Sequence, residues 1–102
     1  MKTVAIVIAA ACLLAAGAAQ ANEKLAQASG CMACHSLDTK LIGPSFKDVA
    51  AKYRGNKSAE SELIQKVKAG GKGVWGDIPM IANGHVKDED IKTLVQWILS
   101  TK

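Results

Sequence analysis

The stretch Cys31-Met32-Ala33-Cys34-His35 stands in a chain with few other means of holding a fold together. Among 102 residues the aromatic ones are only Phe46, Tyr53, Trp75 and Trp97. The third cysteine, Cys12, lies in an N-terminal stretch that does not read as part of a domain. Met1-Lys2-Thr3 is a short basic start, Val4 to Ala16 is apolar and uncharged, and Ala19-Gln20-Ala21 is a small-x-small cleavage site. That order predicts a secretory signal peptide over residues 1–21. The apolar run is short for a membrane anchor. A lipoprotein anchored on Cys12 is a weaker alternative, because Leu13, Leu14 and Ala15 carry the apolar run past it.

Cleavage after Ala21 leaves a domain of residues 22–102, about 80 residues, near the lower limit for a self-sufficient core. Small exported domains usually add disulfides, a metal or another staple. A bridge between Cys31 and Cys34 would close too small a loop to stabilise much. Some other group has to supply the missing interior.

C-x-x-C-H is the attachment signature of c-type haem. Two residues between the thiols let both sulfurs reach the two vinyl groups of one porphyrin edge. The adjacent histidine then lies under the ring, where a nitrogen can bind iron. Rival readings fit less well. A thioredoxin-like C-x-x-C needs a βαβ setting, and no strand pattern precedes Cys31. A zinc site wants four ligands, and the mature chain offers only Cys31, Cys34, His35 and the distant His85 as sulfur or nitrogen donors.

An iron held by one histidine keeps a second axial position, and its occupant decides the function. Two protein ligands leave electron transfer; an open position allows peroxide chemistry or gas sensing. The candidates are Met80 and His85. Met80 follows Ile78-Pro79 in an apolar, glycine-bounded loop, where the proline stiffens the approach. Met80 could instead be a core gap filler. His85, beside Gly84 and ahead of Asp88 and Glu89, reads as a solvated loop histidine.

The rest of the mature chain predicts an all-α domain of short helices. Residues 22–29 form a first helix that Gly30 ends. Phe46, Val49, Ala50 and Tyr53 follow helical spacing. Ser58 to Ala69 carries the stripe Leu63, Ile64, Val67 and stops at Gly70-Gly71. Ile91, Leu94, Val95, Ile98 and Leu99 define the last helix, with Asp88, Glu89 and Asp90 on its first turn, where the helix dipole favours negative charge. Residues 37–45 and 70–86 resist helix. The second of these loops is long for so small a domain and too apolar for disorder, with Trp75, Ile78, Met80 and Ile81.

These residues resemble the short bacterial class I cytochromes c, the c-five-fifty-one kind, over essentially all of 22–102. The similarity rests on Gly30-Cys31-x-x-Cys34-His35, Gly43-Pro44, Asp48-Val49-Ala50-x-Lys52-Tyr53, Gly73-Val74-Trp75-Gly76-x-Ile78-Pro79-Met80 and Trp97-Ile98-Leu99. The resemblance implies the cytochrome c fold, four short helices wrapped round one haem c joined covalently to Cys31 and Cys34. It implies His35 and Met80 as iron ligands. It implies a Pro44 carbonyl accepting the other ring N–H of His35, a Trp75 indole bonded to a propionate, and an Asn83 amide near the Met80 sulfur. Lys66 stands where the family often has a propionate-contacting arginine. Ile81-Ala82 stands where two prolines are common, which predicts a looser ligand loop.

The expected function is therefore that of a diffusible single-electron carrier in the periplasm, not an enzyme. The alternatives are a haem enzyme or sensor with an accessible iron, and a colourless thiol–disulfide protein. The formal net charge is +4, with Lys2 leaving in the leader. It is spread out, which suits acidic docking surfaces on an oxidase, nitrite reductase, peroxidase or quinol-oxidising complex. It is too dilute for a nucleic-acid footprint. A monomer, without stable membrane insertion after cleavage, is expected.

Overall fold

The computed structural model describes residue 17 and residues 19–102. Most of the predicted leader therefore lies outside the described residues. Helix α1 includes residues 19–28 and so runs back through the predicted cleavage site. Alanine is the best helix former, and Ala19 and Ala21 extend the helix without resistance. Its end is set by Gly30, which takes the left-handed conformation at φ 87°. A side chain there would be strained.

A single 3-10 turn, Cys31–Ala33, follows directly. Helix α2 spans Phe46–Lys52, and the buried Ser45 caps it by accepting from Asp48 N at 3.1 Å. Helix α3 spans Ala59–Ala69 and stops at Gly70. Helix α4 spans Asp88–Leu99, with all three of its first residues acidic. The bounds of α2, α3 and α4 match the helical spacing read from the sequence to within a residue or two.

Helix α4 is the central element and packs on both α2 and α3. Ile91, Leu94, Val95 and Ile98 are buried along one of its faces. Phe46 and Val49 of α2 and Leu63 of α3 join Ile91, Val95 and Ile98 in one apolar cluster. Each such side chain stabilises the fold by roughly 1.5–3 kcal/mol relative to exposure. The C-terminus is tied down where Thr101 Oγ1 donates to Ile98 O at 2.8 Å or Phe46 O at 3.2 Å. Among the described residues there is no strand, only an isolated antiparallel bridge between Gly71 and Met80. No described helix is long and apolar enough to cross a membrane.

Candidate haem site

Residues 34–37 and 43–47 lie side by side, zipped by backbone hydrogen bonds. Gly43 N donates to Cys34 O at 2.7 Å, Phe46 N to Ser36 O at 2.9 Å and Lys47 N to Leu37 O at 3.1 Å. An exposed Lys47–Asp38 ion pair closes the outside of this loop. His35 is held between the two segments, with Nδ1 2.7 Å from the Pro44 carbonyl oxygen. A carbonyl can only accept, so Nδ1 carries the ring proton. The Nε2 lone pair is then free for a metal. Gly43 lies flat against the same ring: a Cβ there would fall 2.5 Å from His35 Cε1 and 2.9 Å from Nδ1.

Met80 is fixed by its backbone. Its N–H donates to Gly71 O at 2.8 Å, and its carbonyl accepts from Gly71 N at 3.0 Å. Gly70 turns the chain off α3 at φ 73°, and a Cβ there would meet Met80 O at 2.5 Å. Beyond Met80, the buried Asn83 docks the loop onto the end of α3. Its backbone N–H donates to Val67 O at 3.0 Å. Its side-chain amide donates to Val67 O at 3.3 Å and Ile81 O at 3.1 Å. An amide has two N–H donors, and both are used on carbonyls. Val67 O is one of the carbonyls a helix end leaves without an intrahelical partner, and Asn83 is the residue that reaches it.

Cys31, Cys34, His35 and Met80 line one cavity of about 560 Å³, together with Pro44, Trp75 and Asn83. Its interior wall is apolar, formed by Val49, Leu63, Val67, Leu94, Val95 and Ile98. Size and lining are those of a small-molecule or cofactor site. At the mouth, Ile42, Val74, Trp75 and Ile78 are exposed apolar side chains. Lys40, Lys66 and Lys72 also line it, and Lys52 Nζ sits 5.2 Å from the centre of the Trp75 ring. His85 is not among the lining residues; its Nε2 lies 3.3 Å from Ser29 O at the end of α1. The structure thus separates the two axial candidates, one in the cavity wall and one outside it.

Burial pushes the Cys31 thiol above its ordinary range. Redox-active C-x-x-C thiols need the opposite shift, which weighs against thiol–disulfide exchange. The close approaches of Gly43 and Gly70 and the Lys52–Trp75 contact were not read from the sequence. Gly43-Pro44 and Gly70-Gly71 were visible as breaks, but a break does not say which side chain needs the space.

An attachment turn opening onto an apolar cavity, with a histidine in one wall and a methionine loop lining it too, defines a c-type haem domain. The profile of the family described as cytochrome c matches residues 19–102. Cytochrome c-551 of Allochromatium vinosum is 55% identical over 84 residues, covering 82% of this chain and 89% of that protein. Cytochrome c-552 of Nitrosomonas europaea is 50% identical over 94 residues, covering 92% and 91% respectively. The crystal structure of wild-type Nitrosomonas europaea cytochrome c552 superposes with a TM-score of 0.76 at 48% identity, covering 78% of this chain and 99% of that one. The chain belongs to the cytochrome c family. It has the cytochrome c fold and is a monohaem class I electron carrier, not an enzyme, with one haem c joined covalently through Cys31 and Cys34.

Proposed function

We propose that this cytochrome is an exported, freely diffusing carrier whose iron is held by His35 and Met80. The observation that carries the reading is the placement of both side chains in the lining of the cavity that also receives Cys31 and Cys34. When bound, haem c supplies a ferric–ferrous couple, and a methionine–histidine pair sets it to a raised potential. His35 keeps its Nδ1 proton on Pro44 O, which orients the ring and leaves Nε2 to the metal. Met80 offers its sulfur from a backbone pinned by Gly71. The Val49, Leu63, Val95 and Ile98 wall keeps water from the site. Trp75 and Lys66 at the mouth are the groups suited to propionates.

The leader over 1–21, removed after Ala21, sends the domain to the periplasm, where thioether formation on Cys31 and Cys34 takes place. The lysines near the mouth favour encounters with acidic surfaces on larger redox proteins, through small and short-lived interfaces. The first test is the visible and near-infrared spectrum of the exported protein. The expected result is a reduced c-type spectrum together with the weak oxidised band of sulfur-to-iron charge transfer. Haem without that band would remove Met80 from the iron.

A further inference from the structure

Phe46 is almost wholly buried, at 2% exposure, and its ring is stacked on His35, with centroids 5.2 Å apart and planes inclined by 23°. Gly43 also presses on the imidazole, and Pro44 O holds its Nδ1. A hydrogen bond to one carbonyl still allows a ring to swing about the bond; a flat partner packed on its face removes that freedom. Phe46 is itself held on three sides. Its N–H goes to Ser36 O, its carbonyl is 3.2 Å from Thr101 Oγ1, and the Trp97 ring meets it edge-on at 5.6 Å and 73°.

We propose that Phe46 is a positioning residue for the iron ligand: its ring fixes the rotation of the His35 imidazole, and Trp97 of α4 fixes Phe46. The inference rests on His35 as a ligand of the iron. Its consequence is that the plane of the imidazole, one of the two ligand orientations that shape the unpaired-electron density in the ferric state, is set by a residue that does not touch the metal. Helix α4 acts on the ligand through one aromatic contact.

The test uses the haem-loaded protein and three variants, Phe46→Leu, Phe46→Tyr and Trp97→Phe. Three quantities are read: the order and spread of the haem methyl proton resonances in the ferric state, the hydrogen-exchange rate of the His35 Nδ1 proton, and the urea midpoint. Phe46→Leu is expected to change the methyl order or spread and to speed Nδ1 exchange several-fold. Phe46→Tyr keeps a flat ring and should restore both. Trp97→Phe should shift both in the direction of Phe46→Leu by a smaller amount, and it decides the matter if Phe46→Leu does not fold. A lowered urea midpoint with methyl pattern and exchange unchanged would overturn the proposal and leave Phe46 as core filling. If the unaltered protein shows no hyperfine-shifted His35 resonances, the ligation itself is wrong, a separate failure from that of the positioning role.

Discussion

A methyl group at position 43 would lie 2.5 Å from His35 Cε1, closer than carbon atoms approach without something moving. Gly43→Ala is therefore expected to displace the imidazole from Pro44 O and to destabilise the haem-loaded protein by about 1–3 kcal/mol, the usual cost of overpacking. A urea titration measures the loss, and a changed ferric spectrum locates it at the ligand. Asn83→Ala removes both side-chain donors from Val67 O and Ile81 O. Val67 O keeps the backbone N–H of residue 83, so the loss falls on Ile81 O. A carbonyl left without its partner costs roughly 1–3 kcal/mol, and the sulfur-to-iron band should weaken at lower temperature than in the unaltered protein. An intact band across the melting range would show that Gly71 alone holds Met80. At this scale the sequence displayed the reactive residues and hid their supports. Cys31, Cys34 and His35 are adjacent in the chain, so their spacing is itself the signal. The stacking of Phe46 on His35, or the reach of Asn83 to Val67 O, depends on how separate segments meet, and no local pattern encodes that.

The elements were legible to the extent that burial is periodic. Helix α4 has a buried face at helical spacing and an acidic first turn, and both features are readable in order along the chain. The start of α1 was not readable, because the alanines before Asn22 favour helix as much as the residues after it. The Gly71–Met80 bridge was invisible for a different reason: two backbones form it, and side chains give it no signature. Two substitutions test the elements directly. Ser45→Ala removes the α2 cap and should cost about 1 kcal/mol, seen as a lower urea midpoint with an unchanged spectrum. Gly70→Ala places a Cβ on Met80 O in a left-handed backbone. It should loosen the loop and, on the proposed ligation, the hold of the Met80 sulfur, so that an added ligand such as imidazole binds the ferric iron more tightly. Unchanged imidazole affinity would count against the pinning role of this turn.

For the whole molecule, the apolar wall faces a cavity, not another layer of side chains. Val49, Leu63, Val95 and Ile98 belong both to the core cluster and to the cavity lining. The small aromatic content therefore pointed correctly to an interior completed by another group, while the wrapping of the helices around it came from family resemblance. A chain with Cys31→Ala and Cys34→Ala, made without haem, should lose much of its helical circular dichroism and its cooperative melting. Full retention of both would mean that the helices close on themselves. The net charge makes a further prediction at this scale: association with an acidic redox partner should slow as ionic strength rises.

The bridge between Gly71 and Met80 has a consequence for how this protein can diverge. Residues 72–79 begin and end at the same paired backbone groups, so they form a cassette closed at its base. Substitutions at Val74 and Ile78 can remodel its exposed surface while the backbone of Met80 stays in register with Gly71. A lineage can therefore reshape this exposed surface without disturbing the backbone that carries Met80.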